Sequence, residues 1–327
     1  IGHEEQILGA LWSKSETKVI TFSEDKIALI WDTSTGHELT SLVGHKGHIR
    51  YAVWNHDESQ VLTVSDDKSA RVWDANTGDE LLLLNDHTEQ IYPSAIWNKD
   101  ESRILTSSQD GTAMIWDSST GEKLVSFTGH EDDIYKAVWN QDESRVLTNS
   151  QDGTARIWDS ETGRELVKFS GDQTNVYSIL WNQDESKVLT SSQDGTARIW
   201  DSETGQELIA FEGHEDSILY ATWNQDESNI LTSSQDGTVR IWDSKTGQEI
   251  NVLTGHQGDI TANWNPNESR ILTFSQDNTA RIWYVSPCSK ASRNFTKDEW
   301  HSFMDNFAYR TTCNNAPIPP NVVDETN

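Results

Sequence analysis

The stretch GHEDDIYKAVWNQDESRVLTNSQDGTARIWDSETGRELVKF, residues 129–169, contains the pattern that decides the fold. Alternating apolar residues at 134–139 predict a first strand, and a polar turn at 140–144 leads into a second at 145–148. A Gln-Asp-Gly turn precedes a third strand at 154–158, and a Ser-Glu-Thr-Gly turn precedes a fourth at 165–169. Short strands separated by turns of this composition predict a four-stranded antiparallel meander.

This stretch is one copy of a unit that recurs along the chain. One Trp series is spaced by 42, 43, 42, 42, 42 and 41 residues, at Trp31, Trp73, Trp116, Trp158, Trp200, Trp242 and Trp283. A second series with nearly the same period comprises Trp12, Trp54, Trp97, Trp139, Trp181, Trp223 and Trp264. A four-stranded sheet cannot bury both faces alone, so repeated sheets stack radially. The sequence therefore predicts an all-β, seven-bladed β-propeller over residues 1–285 and a C-terminal tail over residues 286–327.

The units resemble WD repeats, with Gly-His before the first strand, Ser-x-Asp before the third and Trp-Asp at its end. The resemblance covers about residues 2–285 and implies a buried, hydrogen-bonded His-Ser-Asp-Trp tetrad in each blade. The implied sets are His3, Ser23, Asp25, Trp31; His45, Ser65, Asp67, Trp73; His87, Ser108, Asp110, Trp116; His130, Ser150, Asp152, Trp158; Asp172, Ser192, Asp194, Trp200; His214, Ser234, Asp236, Trp242; and His256, Ser275, Asp277, Trp283. Because Asp172 replaces a His, we expect a looser entry loop in the fifth blade.

Sequence motifs for catalysis or cofactor binding are absent. No two Gly lie two, four or five positions apart, which excludes GxGxxG, GxSxG and Walker-type loops. Neither HExxH nor CxxC occurs, and six of the 10 His belong to the tetrad sets. We therefore expect no catalytic residue, no metal site and no cofactor, and a protein that is not an enzyme. The recurrent Gln-Asp-Glu-Ser turn is interpreted as a solvated hairpin tip.

The net charge of −28 restricts the classes of partner. An acidic surface repels nucleic-acid phosphates and anionic lipid headgroups, since such binding depends on Lys and Arg. No apolar run approaches the ~18 residues needed to cross a bilayer. We therefore expect a basic or neutral protein or peptide partner, with no nucleic acid and no membrane.

The resemblance also implies where a partner binds, across the narrower propeller face over the central channel. The candidate partner-binding residues flank the first strands or precede the tetrad Asp: Leu8, Arg50, Tyr92, Tyr135, Tyr177, Leu219, Gln109, Gln151, Gln193 and Gln235. The three Tyr share one position in consecutive blades, and Tyr is a common hot-spot residue. The Gln of blades three to seven, Gln276 included, are predicted to form an amide ring suited to an extended peptide. The alternative is that repeat duplication copied Tyr and Gln without selection for binding.

The tail begins at Ser286, where the repeat pattern breaks. A capping box at residues 296–299, followed by Trp300, Phe303, Met304 and Phe307, predicts a short amphipathic helix packed on the propeller or on a partner. The segments 293–296, 299–300 and 309–313 resemble the tails of bacterial WD-repeat proteins, which often carry ATPase-type signalling modules upstream. Cys288 and Cys313 bracket the helix. Free thiols there favour a cytoplasmic location, and a disulfide favours an extracytoplasmic one.

The seventh repeat lacks an outer strand, because Ser286-Pro287-Cys288 follows Trp283 almost at once. We expect the closing strand just upstream of Ile1, which leaves a three-stranded seventh blade unless residues 317–327 or another polypeptide complete it. Three functions remain open: a protein-binding scaffold or sensor, a structural subunit of a larger assembly, and a propeller enzyme acting on a small molecule. The first is the prediction that the candidate residues favour.

Overall fold

The computed structural model describes residues 2–171 and 174–285, and every regular element within them is a β-strand. The chain divides into two compact units, one ending at Ala221 and one starting at Thr222. The first unit contains five antiparallel meander sheets of four strands each. Their strands are β1 (Ile7–Trp12), β2 (Lys18–Ser23), β3 (Ile27–Asp32), β4 (Glu38–Val43); β5 (Ile49–Trp54), β6 (Gln60–Ser65), β7 (Ala70–Asp74), β8 (Glu80–Leu84); β9 (Ile96–Trp97), β10 (Arg103–Ser107), β11 (Thr112–Asp117), β12 (Lys123–Thr128); β13 (Ile134–Trp139), β14 (Arg145–Ser150), β15 (Ala155–Asp159), β16 (Glu165–Phe169); and β17 (Val176–Trp181), β18 (Lys187–Ser192), β19 (Thr196–Asp201), β20 (Glu207–Glu212).

The remaining strands form a sixth and a seventh sheet. The sixth has four strands and contains the division between the units: β21 (Ile218–Trp223), β22 (Asn229–Ser234), β23 (Val239–Asp243) and β24 (Glu249–Leu253). The seventh has three, β25 (Ile260–Trp264), β26 (Arg270–Ser275) and β27 (Ala280–Tyr284). Seven consecutive meanders are typical of a β-propeller, which confirms the predicted fold class. The described residues also give the seventh sheet only three strands, as predicted from the missing repeat segment.

The hydrophobic core lies between successive sheets rather than within one. Leu105 and Ile115 of the third sheet, for example, share a cluster with Ile134 and Val146 of the fourth, all fully buried. Successive residues along a strand face the preceding and the following sheet in turn, so both faces of a sheet between two others are apolar. Within the second unit, the cluster containing Leu231 joins the sixth and seventh sheets in the same way.

The two Trp series have different roles in this packing. Members of the first series, such as Trp158, are almost fully buried at the end of the third strand and donate their indole N–H to a Thr. Members of the second series end the first strand; Trp139 and most of the others pack half-buried against the core, whereas Trp12 is exposed. The buried Nε1 of Trp139 has no protein acceptor among the described residues. The second series therefore contributes apolar area, whereas the first also belongs to a polar network.

The recurrent turn between the first and second strands connects neighbouring sheets, so the interpretation as a solvated hairpin tip was wrong. In the fourth sheet, Asn140 Oδ1 accepts the backbone N–H of Arg145, and Glu143 adopts a left-handed conformation with φ 63°. The Glu143 carboxylate then accepts the backbone N–H of Lys99 at 2.5 Å and the Asn98 amide N–H at 3.0 Å, both in the third sheet. We call this contact the glutamate clasp. Equivalent clasps reach back to the preceding repeat from Glu58, Glu101, Glu185 and Glu268.

Candidate functional site

A hydrogen-bonded chain of four side chains fixes the loops from which the candidate site is built. In the fourth sheet, Nδ1 of His130 lies 2.9 Å from Asp152 Oδ2, and Nε2 lies 2.8 Å from Thr148 Oγ1. Trp158 Nε1 donates to the same Thr148 oxygen at 2.8 Å. Every donor and acceptor in the chain is used when Nδ1 carries the imidazole proton and the hydroxyl donates to Nε2. The same hydrogen-bonded arrangement of side chains occurs at His3, His45, His87 and His256.

The predicted Ser member of this tetrad was wrong, because Thr occupies its place. The Ser150 hydroxyl accepts the backbone N–H of Asp152 at 3.0 Å and donates to the carbonyl oxygen of Asp132 at 3.0 Å. Ser150 therefore shapes the loop before the third strand and does not connect His130 with Trp158. The sequence does contain the correct signal, since a Thr stands ten residues before each Trp of the first series, at Thr21, Thr63, Thr106, Thr148, Thr190, Thr232 and Thr273.

The hydrogen-bonded set of side chains also determines the charges in the loop of the fourth sheet. Burial alone would raise the pKa of Asp152, but hydrogen bonds from His130, Thr154 and the backbone of Glu131 hold that pKa far below its ordinary value. Burial lowers the pKa of His130. At neutral pH the loop therefore contains an ionised carboxylate and a neutral imidazole.

The fifth set departs from this arrangement. Asp172 lies outside the described residues, so the predicted loosening of its loop stays a prediction. Asp194 is described, and its Oδ2 atom accepts two hydrogen bonds from the Arg198 guanidinium, at 3.1 and 3.2 Å. In the fourth sheet the equivalent Arg156 lies 3.5 Å from Asp152 Oδ2, which His130 holds at 2.9 Å. Arg198 thus donates to the Asp194 carboxylate in the fifth repeat, whose sequence has no His at the tetrad position.

Four of the candidate residues on the first strands occupy β-bulges. In the fourth sheet Ile134 pairs with Ser150 and Lys136 with Asn149, so Tyr135 has no partner across the strand pair. A bulge of this kind redirects one side chain at the rim of a sheet. Leu8, Arg50 and Tyr177 occupy the same position in the first, second and fifth sheets.

Two sheets depart from the bulge pattern, and the Trp spacings contain the signal. The 43-residue spacing marks one extra residue in the third repeat, where Pro93 follows Tyr92 and the regular strand β9 starts only at Ile96. The 41-residue spacing marks one residue fewer in the seventh, where Ile260 pairs with Ser275 and Thr261 with Phe274 without a shift. Thr261 is therefore a regular strand residue and not the equivalent of Tyr135.

Tyr92, Tyr135 and Tyr177 form a continuous set of ring contacts, which we call the tyrosine row. The rings of Tyr92 and Tyr135 meet edge to face with centroids 5.3 Å apart, and those of Tyr135 and Tyr177 are 6.2 Å apart and inclined by 31°. Such pairs are stabilising beyond the area that they bury. All three residues are half-buried. The three sheets thus present one joined aromatic surface.

The hydroxyl groups of the row bind neighbouring polar side chains. Tyr92 Oη donates to Asp133 Oδ2 at 2.8 Å, and burial together with this contact raises the pKa of Tyr92. Tyr135 Oη donates to Gln151 Oε1 at 3.2 Å and accepts a hydrogen bond from Asn175 Nδ2 at 3.3 Å. Burial raises the pKa of Tyr135 to about 12. Both phenols therefore stay neutral and able to donate at any physiological pH.

The other predicted site residues have varied surroundings. Arg50 forms a two-point ion pair with Asp66, with Nε–Oδ1 at 2.8 Å and Nη2–Oδ2 at 2.7 Å, which raises the pKa of Arg50. Leu8 and Leu219 are half-buried.

The predicted amide ring consists of residues with different contacts. The Gln109 side chain lies near the Tyr92 hydroxyl and lowers its pKa, opposing the larger effect of burial, and Gln151 accepts a hydrogen bond from Tyr135. Gln193 is exposed in the first unit, whereas Gln235 and Gln276 lie in the second unit, where Gln276 donates to Asp259 at 2.8 Å. The structure therefore brings Gln109 and Gln151 to the tyrosine row, and the amide ring stays a prediction.

Metal sites and membrane-spanning helices are both absent from the described residues. Within 2–171 and 174–285, no three His, Cys, Asp or Glu side chains are placed to hold a metal ion. In the same part of the chain, no helix has the length and apolar character to span a membrane. Cys288, Cys313 and the predicted tail helix lie outside the described residues, as do the tail segments that resemble bacterial WD-repeat proteins.

Comparison with known proteins establishes the family. The model described as WD domain, G-beta repeat matches residues 36–74, 78–117, 121–159, 163–201, 205–243 and 247–284. These matches span more than half of the chain, which therefore belongs to the WD-repeat family. Propellers of this family are generally non-enzymatic scaffolds for protein interaction.

The strands β1 to β3 of the first sheet precede these six matches, and their hydrogen-bonded set of His3, Asp25, Thr21 and Trp31 identifies a further repeat of the same kind. Among solved structures, the crystal structure of the computationally designed Ika8 protein is similar. It superimposes with a TM-score of 0.72 and 26% sequence identity over 87% of this chain and 85% of the designed one. No curated protein matches the chain.

Proposed function

We propose that the protein is a recognition module that binds a protein partner through the tyrosine row and the loops around it. The observation that carries this proposal is the joined aromatic surface of Tyr92, Tyr135 and Tyr177, one residue from each of three consecutive sheets. Large, rigid aromatic side chains with a polar tip are enriched among interface hot spots, because they bury much area at little cost in conformational entropy.

The support of the row by the fold favours a binding role. Bulges in the fourth and fifth sheets aim Tyr135 and Tyr177 away from the strand ladder. Hydrogen bonds to Asp133 and Gln151 hold the hydroxyl groups of Tyr92 and Tyr135. A surface ordered before binding loses less entropy when a partner arrives. The bulges also occur at Leu8 and Arg50 and so belong to the repeat, but Tyr residues copied by duplication alone would not require the hydrogen bonds.

Co-purification of the full chain from its native cells, followed by mass spectrometry, tests this function. We expect the Tyr135→Ala/Tyr177→Ala double variant to lose the partner, since hot-spot truncations cost roughly 2 kcal/mol or more, about thirtyfold in affinity. Tyr284→Ala is the matched control, because Tyr284 is 61% exposed in the second unit and lies outside the row. Tryptophan fluorescence confirms that each variant is folded before binding is scored.

Unchanged capture by the double variant would move the interface elsewhere and favour the second function, a structural subunit of a larger assembly. That reading requires the partner to be lost when residues on the outer strands are changed. Leu39 and Leu166 are suitable positions, because both are exposed on outer strands of the first unit.

A further inference from the structure

Two carboxylates border the tyrosine row and have no cationic partner among the described residues. Asp133 accepts the Tyr92 hydroxyl at 2.8 Å, and Asp132 accepts the backbone N–H of Asp133 at 2.9 Å. Both lie close enough to Tyr135 for their negative charges to act on its hydroxyl. Lys136 follows Tyr135 along the strand, yet its ammonium group forms an ion pair with neither carboxylate in the described structure.

The equivalent region of the second sheet is electrostatically different. There Arg50 occupies the bulge and neutralises Asp66 through two hydrogen bonds, with His48 3.4 Å from the same carboxylate. The first-strand loops of the second and fourth sheets therefore differ in charge. At Asp132 and Asp133 no internal cation competes with an incoming one.

The ring geometry suits a cation as well. Cationic side chains are attracted to an aromatic face within about 6 Å of its centroid. The protein uses this contact elsewhere, with Arg270 lying 5.0 Å from the ring centroid of Tyr284. No such Arg lies over Tyr92, Tyr135 or Tyr177 within residues 2–171 and 174–285. The row therefore combines aromatic surface with adjacent carboxylates.

The spacing of the rings indicates the form of the ligand. An extended peptide rises about 3.3 Å per residue, so alternate side chains on one face lie roughly 6.6 Å apart. The centroid separations of 5.3 and 6.2 Å along the row are close to this repeat. Successive rings can thus contact side chains i and i+2 of one extended segment.

We propose that the tyrosine row binds an extended, basic segment of the partner, with Arg or Lys side chains at alternate positions placed against the rings and beside Asp132 and Asp133. This inference rests on the proposed function and adds the chemistry of the partner. The net charge of −28 brings such a segment to the protein, since long-range attraction raises association rates. The local arrangement of rings and carboxylates then selects its spacing.

Fluorescence anisotropy with labelled twelve-residue peptides tests the proposal on the full chain. The probes are an alternating Arg-Ser peptide, a block peptide of six Arg followed by six Ser, and an alternating Gln-Ser peptide. We expect the alternating Arg peptide to bind at least fivefold more tightly than the block peptide of equal charge, and the Gln peptide not to bind measurably. Equal affinity for the two Arg peptides would overturn the proposal, because it would indicate attraction by net charge alone.

Variants locate the site. Asp132→Asn/Asp133→Asn keeps an acceptor for Tyr92 and removes two charges, and we expect at least a tenfold loss for the alternating Arg peptide. The control Glu131→Gln/Glu89→Gln removes two charges from exposed loop residues of the same unit, and we expect less than a threefold loss. Equal losses in the two double variants would also overturn the proposal. A native partner lost from the Tyr135→Ala/Tyr177→Ala protein but kept by Asp132→Asn/Asp133→Asn would refute the basic ligand while leaving the proposed function intact.

Discussion

Replacing Glu143 tests whether the glutamate clasp stabilises the contact between neighbouring sheets. The Glu143 carboxylate accepts two hydrogen bonds from the third sheet, from the backbone of Lys99 and from the amide of Asn98. Hydrogen bonds to charged groups contribute roughly 1.5–3 kcal/mol in net terms. Because Glu143 is only half-buried, we expect Glu143→Ala to lower the free energy of unfolding by about 2 kcal/mol in total.

The left-handed backbone of Glu143 allows a second measurement at the same position. Glu143 has a φ of 63°, a conformation that is unfavourable by roughly 1 kcal/mol for any residue with a Cβ atom but not for Gly. Glu143→Gly loses the same two hydrogen bonds but relieves this strain, so we expect it to be about 1 kcal/mol more stable than Glu143→Ala. The difference between the two variants separates the cost of the backbone from that of the clasp.

Glu16 supplies the matched control. It occupies the same turn position in the first repeat, with φ 59°, and its carboxylate accepts no hydrogen bond from the described residues. Glu16→Ala should therefore change stability by less than about 0.5 kcal/mol. Urea unfolding followed by tryptophan fluorescence measures all three variants under one condition. If Glu16→Ala and Glu143→Ala are equally destabilising, the clasp contributes nothing and the turn alone matters.

Four further predictions concern the scaffold and the tail. Thr148→Val should cost roughly 3 kcal/mol in urea unfolding by leaving the Trp158 indole donor and the His130 Nε2 acceptor unpaired, while Thr148→Ser should retain most of the stability. Lys26→Gly should raise the melting temperature, since Lys26 has φ 69°, with a stabilisation of about 1 kcal/mol; a lower melting temperature would contradict this reading. The lowered pKa of His130 means that the folded state favours the neutral ring, so its contribution to stability is present above about pH 6.5 and lost as pH falls below it. Unfolding curves at pH 8, 6 and 5 check this, and His130→Gln should flatten the dependence. Alkylation mass spectrometry on unreduced protein decides between free thiols and a Cys288–Cys313 disulfide, for which we expect roughly 3 kcal/mol of stabilisation.

The sequence was sufficient for the fold because the signal for each element is repeated. The alternation of apolar residues and the turn residues recur in every repeat at the same spacing, so each repeat must form the same structure. Strand positions such as Glu165–Phe169 could therefore be predicted to the residue. The three strands that the described residues give to the seventh sheet were equally visible in the sequence. Features that occur in only one repeat were predicted less well. An example is Pro93, which displaces the start of the regular first strand in the third sheet to Ile96.

The contacts of the candidate site were harder to predict, because they depend on which neighbour a side chain reaches. The strand pattern places Tyr135 on the correct strand but does not show that a bulge redirects it toward Tyr92 and Tyr177. Family resemblance suggested Ser150 for the tetrad, although Thr148 is the residue with the correct position on the strand. Glu143 was interpreted as solvated, since nothing in a single repeat shows that its carboxylate reaches the repeat before it.

The boundaries of the family matches have a consequence for how such a protein can change its length. Each match begins near the outer strand of one sheet and ends with the third strand of the next, as in residues 121–159, which contain β12 to β15. Removing the part of the gene that encodes this segment joins β11 to β16, a third strand to an outer strand. The sheet formed at the junction then has four strands in their original order, and the other sheets are unchanged. Duplicating the segment likewise adds one whole sheet, together with the Glu that binds its neighbour. Unequal recombination between nearly identical repeats therefore yields chains that still fold locally, so the number of sheets can vary during evolution without an intermediate that contains a broken one.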